Sequence, residues 1–374
     1  MSAPGPRIFL SAGEPSGDLH GAAVTRELRA RLPSAVLEAF GGPRMAEAGA
    51  RVLHQMERLH AFGTVEILAK LPAHVRLLRQ LRRAFDAKAY DLAILIDYPG
   101  FHLRVAEAAH AAGIPVLYYI APQLWAWRPQ RAVRFAKAVD RLAVVLPFEA
   151  AFFARLGLGA EYVGHPLLDR GPMPDRAAAR ARFGIAPGEK VLGLFPGSRH
   201  GEVQRMWVPF RDAAHRLLAA KACDRVLVAA TAHEAYPDPG AIEVHRDDPL
   251  PVFSAADAAI AKSGTTTLEA ALADTPMVVA YRAHAFTYWL SRRLLTVPYV
   301  SLVNLVAERV VVPELLQHDV TPERLAASVR PLLDAAHPDT VAQRAGLREV
   351  RARLGTAGAA GRVADLAEQL LATK

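Results

Sequence analysis

The sequence predicts an α/β fold of two Rossmann-like domains, and three observations carry that expectation. The chain has 374 residues, more than one hydrophobic core usually serves, so two domains of roughly 150–200 residues are expected. Short apolar runs recur along it between helical patterns, and most are apolar on both faces, as strands of a covered parallel sheet are. Near the middle, Asp169 to Asp175 carries proline, glycine and charge in place of a periodic pattern, which fits a boundary. The expected division is residues 1–168, residues 169–340, and closing helices over 341–374.

In the first domain the runs Ile8–Ala12, Val36–Phe40, Leu92–Ile96, Val116–Ile120 and Leu142–Leu146 read as strands. The second series is Val191–Phe195, Arg225–Ala229, Ala258–Ala261 and Met277–Ala280. Two such units would face each other across a cleft bordered by the carboxyl ends of their strands, where open α/β sheets bind ligands. The loops after the strands are therefore where chemistry is expected.

Hydrophobic residues make up 52% and charged residues 22% of the chain, a balance that builds cores and excludes disorder as the main state. Lys and Arg outnumber Asp and Glu by 45 to 37, so the net charge of +8 favours anionic partners. The arginines are spread over many helices and no nucleic-acid module is present, so phosphorylated substrates and anionic lipid are expected and nucleic acid is not. Met1 to Pro6 lacks the pattern of a signal peptide, and no apolar run reaches the roughly 18 residues of a spanning helix. The expected location is the cytoplasm, peripheral on the inner face of the membrane. The single cysteine, Cys223, permits no disulfide within the chain, and the 14 histidines show no metal-ligand spacing. Neither a metal nor a cofactor is expected.

The first loop, Gly13-Glu14-Pro15-Ser16-Gly17-Asp18, joins a strand to a helix without the GxGxxG spacing of a dinucleotide site. A helix cap by Ser16 or Asp18 explains part of it. Glu14, Ser16 and Asp18 together suggest polar groups projecting toward sugar hydroxyls. Asp97 ends the strand Leu92–Ile96, which places a carboxylate where a base would stand, although a helix-capping Asp would look the same. Gln123, Trp125, Trp127 and Arg128 lie in a proline-bounded loop, and two tryptophans there suggest an aromatic wall for a sugar face or an acyl chain.

In the second half, Pro196-Gly197-Ser198-Arg199-His200-Gly201-Glu202 follows a strand and opens a helix, a place that suits a phosphate. Arg199 would neutralise charge as a diphosphate leaves. Lys262-Ser263-Gly264-Thr265-Thr266-Thr267-Leu268-Glu269 repeats the arrangement, with Glu269 one turn in and placed for ribose hydroxyls. It lacks the GxxxxGK[ST] pattern, so a nucleotide-sugar is expected in place of ATP.

Assembled in order, these residues resemble the lipid-A-disaccharide synthase family over essentially the whole chain. The resemblance rests on Ala12–Asp18, Gly41-Gly42-Pro43-Arg44-Met45, Trp125–Arg128, Leu146–Glu149, Val163–Pro166, Pro196–Arg199, Ser263–Glu269, Tyr281-Arg282 and Tyr299–Leu305. It implies the GT-B fold and an inverting, metal-independent glycosyltransferase. The implied donor is UDP-2,3-diacylglucosamine and the acceptor 2,3-diacylglucosamine 1-phosphate, giving a β-1,6-linked disaccharide and UDP. By this match Asp97 is the base; Arg199, Gly197, Ser198, Glu202, the Ser263–Thr267 turn and Glu269 serve the donor; and Arg44 and Met45 join the acceptor side. Asn304 and the last helices would cross back to the first domain or to the partner of a homodimer. Two departures stand out: Gly100 replaces a second acid that relatives often carry after Asp97, and the stretch from Thr231 to Asp257 is shortened. The nearest alternative is another GT-B enzyme of envelope synthesis, a UDP-N-acetylglucosamine transferase or epimerase.

Two segments suggest contact with an anionic membrane surface. Leu71, Val75, Leu78, Leu81 and Phe85 form a helical stripe beside Arg76, Arg79, Arg82, Arg83 and Lys88, a pattern that ordinary packing on a sheet also produces. Phe286, Tyr288, Trp289, Leu290, Leu294 and Leu295 alternate with Arg282, Arg292 and Arg293, the composition of an interfacial helix.

Overall fold

The computed structural model describes residues 5–56, 64–126, 130–283 and 297–373. The chain forms two compact units, Met1–Arg170 with Thr356–Lys374, and Gly171–Gly355. In the first unit the elements run β1 (Arg7–Ala12), α1 (Pro15–Arg31), β2 (Val36–Gly41), α2 (Pro43–Glu47), β3 (Arg51–Gln55), α3 (Thr64–Asp86) and β4 (Leu92–Ile96). They continue through α4 (Pro99–Ala111), β5 (Val116–Tyr119), α5 (Gln130–Ala136), β6 (Arg141–Val144), α6 (Pro147–Ala154) and β7 (Ala160–Tyr162). The seven strands lie in the order β3-β2-β1-β4-β5-β6-β7, and each neighbouring pair is parallel, with Ala12 opposite Ile96 at the carboxyl end of β1 and β4.

The second unit holds α7 (Arg176–Arg182), β8 (Val191–Phe195), α8 (His200–Ala219), β9 (Arg225–Ala229), β10 (Ile242–His245), α9 (Leu250–Ala255), β11 (Ala258–Lys262) and α10 (Thr265–Leu272). After β12 (Met277–Tyr281) come α11 (Leu302–Ala307), β13 (Glu314–Leu316), α12 (Pro322–Val329) and α13 (Pro338–Arg353). Its sheet runs β10-β9-β8-β11-β12-β13. Helix α8 shows why such sequences fold this way: Val203, Met206, Trp207, Phe210, Ala213, Ala214 and Leu217 recur three and four residues apart and are all buried against the strands. The chain then returns to the first unit as α14 (Ala359–Ala372), which packs on α1; Arg31 pairs with Asp365 and Glu368, and Arg362 donates to the Val163 carbonyl.

All nine expected strands are present within two residues of their bounds. Four more, β3, β7, β10 and β13, escaped the sequence reading, and they are the outer strands of the two sheets. An outer strand is covered on fewer sides, so its residues need not be apolar; β3 alternates exposed and half-buried positions throughout. The shortened stretch after β9 contains no helix before β10, only an irregular connection held by Tyr236, whose hydroxyl accepts from the Thr231 amide.

Two expectations about surfaces need correction. The α3 stripe is largely core: Leu77, Leu78, Leu81 and Phe85 are buried on the first unit's own sheet, and Leu71 alone of the described stripe is a large exposed hydrophobic. Asn304 does not reach out of its unit. It is fully buried, donates to the Val312 carbonyl and Glu314, and accepts from the Val311 and Val312 amides, tying α11 to β13. Of the interfacial candidates, Phe286, Tyr288, Trp289, Leu290, Arg292, Arg293, Leu294 and Leu295 lie outside the described residues.

Candidate active site

The first half-site forms where β1 and β4 end side by side. Asp97 and Tyr98 both adopt left-handed backbone, with φ of 50° and 52°, a conformation that costs a side-chain-bearing residue about 1–2 kcal/mol. Such strain persists only where the surroundings impose it. Here the Asp97 amide donates to the Tyr119 carbonyl at 2.9 Å, and its own carbonyl accepts from the Tyr118 hydroxyl and from His102 Nδ1, each at 2.6 Å. The double left-handed turn carries the chain abruptly from the strand into α4 and leaves Asp97 half-buried at the sheet edge.

His102 is fully buried, and burial lowers its pKa to about 4 against the opposing pull of its bond to the Asp97 carbonyl, so the ring is neutral at pH 7. A carbonyl can only accept, so Nδ1 carries the proton and Nε2 accepts a hydrogen bond from the Ser11 hydroxyl at 2.7 Å. Ser11, His102 and Tyr118 therefore fix the backbone of Asp97 through one chain of bonds. Burial, and then the nearby Asp97 charge, raises Tyr118 well above its ordinary range. Tyr98 is raised by burial and by the charge of Glu14, which brings the first loop to the same place. Gly13 is required there: a Cβ on it would lie 2.3 Å from the Tyr98 ring. A Cβ at Gly100 meets nothing within 4 Å, so the space beside this position is open.

The remaining first-unit candidates divide. Glu14 and Ser16 are half-buried and exposed, and Arg44 and Gln123 are exposed. Gly17 is buried, with its Cβ position 3.3 Å from Ala12 Cβ, so it serves close packing of α1 on β1. Asp18 does not project outward with Glu14 and Ser16. It is 1% exposed, and its carboxylate accepts from the amides of Gly42, Arg44 and Met45 at 2.8, 3.1 and 3.2 Å, capping α2 from a neighbouring helix. Met45 is fully buried, its sulfur 2.6 Å from the Cβ positions of Gly21 and Gly41, so it is core and not an acceptor contact. Trp125 is also buried in place of forming an exposed wall. Its ring packs edge-on against Phe148 and its indole N–H donates to Glu149 at 2.8 Å. Burial raises Glu149 to about 7, although Trp125 and two backbone amides pull the other way. Trp127 and Arg128 lie outside the described residues.

The second half-site stands on β8 and β11. Gly197, at φ 124°, turns the chain after β8, and exposed Ser198 and Arg199 lead into α8. Glu202, in the first turn of that helix, bends back so that Oε2 accepts from the Ser198 and Arg199 amides at 3.2 and 3.4 Å, while Oε1 accepts from Lys262 at 2.8 Å. Burial alone would raise the Glu202 carboxyl; Lys262, the Ser198 amide and Arg199 hold it below its ordinary value. Gly264, at φ 147°, makes the corresponding turn after β11, and Thr265 and Thr266 occupy the first turn of α10 with Glu269 farther along. Ser263 is buried and its hydroxyl donates to the Val300 carbonyl, so it fixes the backbone of the turn in place of facing a ligand.

The larger of the described cavities lies between β3 and α3, lined by residues such as Leu53, His54, Arg76 and Leu77, none of them a candidate. Among the described residues no group of three or more His, Cys, Asp or Glu is placed to hold a metal, and no helix is long and apolar enough to cross a membrane. Tyr98, His102 and Tyr118 escaped the sequence reading as site residues, whereas Lys262 was read as the start of the second phosphate turn, a cation closing an otherwise apolar strand directly before a glycine turn. A lone histidine in an apolar helix such as His102 leaves no signal.

The fold is shared at full length by the glycotransferase of kitacinnamycin, with a TM-score of 0.64 and 21% identity, covering 99% of this chain and 100% of that one. A UDP-GlcNAc 2-epimerase from Neisseria meningitidis, bound to UDP-GlcNAc, has a TM-score of 0.59 and 10% identity over 98% of this chain and 100% of its own. These likenesses concern architecture. Two parallel-sheet units of this kind make up the GT-B fold. A family model for lipid-A-disaccharide synthetase matches residues 8–357, and the chain belongs to that family. It is 40% identical over 379 residues to the lipid-A-disaccharide synthase of Myxococcus xanthus, covering 98% of each chain, and 42% identical over 369 residues to that of Anaeromyxobacter sp. strain K, covering 96% of each. Its reaction is glycosyl transfer from a UDP-sugar to a lipid acceptor, forming the lipid A disaccharide.

Proposed function

We propose that Asp97 is the base of this transfer and that the second unit holds the departing UDP. The acceptor, 2,3-diacylglucosamine 1-phosphate, presents its 6-hydroxyl to Asp97, which accepts the proton as the oxygen bonds to the anomeric carbon of UDP-2,3-diacylglucosamine. The bond from that carbon to the diphosphate breaks on the opposite side, so configuration inverts and the linkage is β-1,6. Arg199, with the turns at Gly197-Ser198 and Gly264-Thr265-Thr266, stabilises the charge that collects on the diphosphate, and Glu269 takes the ribose hydroxyls. The observation that carries this reading is the strained, triply bonded backbone of Asp97 at the end of β4. Incubation of the pure protein with acylated and non-acylated UDP-glucosamine donors in EDTA tests it: the acylated disaccharide and UDP are expected by mass. Loss of all product in EDTA, restored by magnesium, would overturn the metal-free mechanism.

The work is read as taking place on an anionic membrane surface. Exposed Arg76, Arg79, Arg82 and Arg83 beside exposed Leu71 support that reading. Association of two copies is expected as well, and sedimentation that finds only a 40.4 kDa species would remove the dimer.

A further inference from the structure

One carboxylate links the two phosphate turns of the second unit. Lys262 is the last residue of the strand Ala258–Lys262, and its ammonium lies 2.8 Å from Glu202 Oε1 and 5.9 Å from the centre of the Tyr281 ring. It also lies 3.5 Å from where a Cβ on Gly264 would stand, so the ammonium sits over the turn that opens α10. The other Glu202 oxygen takes the amides of Ser198 and Arg199. Gly197 closes on the same side chain: a Cβ there would meet Glu202 Cβ at 2.7 Å and Oε2 at 2.8 Å. Beside the pair is a cavity of about 220 Å³ lined by Glu202, Arg205, Met206, Lys262, Tyr281 and Arg282, three cations against one carboxylate.

We propose that Lys262 is a further phosphate-binding residue and that Glu202 holds its place: an arriving diphosphate displaces the carboxylate from the Ser198 and Arg199 amides and from Lys262. This rests on the reading that the second unit binds a nucleoside diphosphate. The amide bonds of 3.2 and 3.4 Å are long beside the roughly 2.9 Å of an ordinary N–H···O bond, so Glu202 uses these donors loosely. A diphosphate carries more charge and several oxygens, enough to satisfy both amides and the ammonium at once. Arg205, exposed and three residues along the same helix, is positioned to receive the released carboxylate. The protein thus keeps its phosphate donors aligned when empty, and Glu202 acts as an internal competitor that a weaker anion does not readily replace.

Titration calorimetry with UDP on the whole protein tests the exchange. Lys262→Ala should weaken UDP by about tenfold, the scale of one charge-assisted bond, with Lys262→Arg weakening it less. Glu202→Gln should tighten UDP several-fold, because the competitor loses its charge. Weaker binding by Glu202→Gln, the result expected of a carboxylate that stays to buttress Lys262, would overturn displacement. An unchanged affinity in Lys262→Ala would overturn the phosphate contact. Should Glu202→Gln fail to fold, Lys262→Ala still decides on the phosphate contact, since among the described residues the ammonium bonds to the Glu202 carboxylate and to no backbone group. Wild-type protein that binds no UDP would instead strike the reading of the second unit itself, and this proposal with it.

Discussion

The two units bury different kinds of polar group. Among the described residues, the first buries Asp18, Glu38, His102, Glu149 and His165 beside Ser11 and Thr25, whereas the second buries Ser254, Ser263, Thr267, Thr275, Ser301, Asn304, Thr340 and Gln343, with no carboxyl or imidazole among them. Burying an ionisable group is costly unless it is bonded or neutral, so the contrast reflects different tasks. On the proposed reading, the unit with the base fixes it through the buried neutral ring of His102 and the hydroxyl of Tyr118. The unit proposed to meet a diphosphate keeps Arg199, Lys262 and Glu202 nearer the surface, where they can exchange partners with a ligand.

The largest effect expected from breaking this division is on turnover. Asp97→Asn should lose about 10²- to 10⁴-fold while folding normally, the usual contribution of a positioned base. Turnover within a few-fold of wild type would remove Asp97 from that role. Next comes the charge on the other unit: Arg199→Ala should forfeit roughly 2–4 kcal/mol of transition-state stabilisation, read from kcat/KM.

Acid sharpens the contrast through stability. Burial lowers His20, His102 and His165 to about 4 each, and raises Glu149 to about 7. Between pH 4.5 and 6.5 the unfolded histidines bind protons that the folded ones refuse, so stability falls with pH. Glu149 works oppositely, holding a proton in the fold that it gives up on unfolding. Three protons taken up less one released leaves two, 3 − 1 = 2, or about 3 kcal/mol lost per pH unit at most. Among the described residues of the second unit no histidine is buried. Amide exchange, corrected for intrinsic rates, should show the strands of the first unit losing protection at pH 5 while β8 and β11 keep theirs. Equal losses would mean the buried histidines do not govern acid stability.

The smallest effect concerns the exposed arginines of α3. Each adds about 1 kcal/mol near an anionic leaflet, so sedimentation with anionic vesicles should weaken as salt rises. Equal, negligible binding to anionic and neutral vesicles at low salt would end the docking reading.

The inner strands were legible because burial on both faces forces them apolar; β4 reads Leu-Ala-Ile-Leu-Ile and every residue is buried. The outer strands were not, since half-covered backbone tolerates residues such as Arg51 and His54. Within the site, glycine turns at strand ends marked both half-sites. What sequence could not separate was a polar side chain facing a ligand from one bonded across the fold. Asp18 and Asn304 sit in motif-like segments at the starts of helices, yet the partners that occupy them, Gly42 for one and Val312 for the other, become neighbours only through folding. Trp125 is the same case, since its reason for burial is Glu149, 24 residues away.

The division of labour is tested most directly by UDP affinity in two variants side by side. Calorimetric titration should give Asp97→Asn the affinity of the wild type and Arg199→Ala a clearly weaker one, placing the base on one unit and the diphosphate on the other. Equal loss of UDP binding in both variants, or loss in Asp97→Asn alone, would contradict the account.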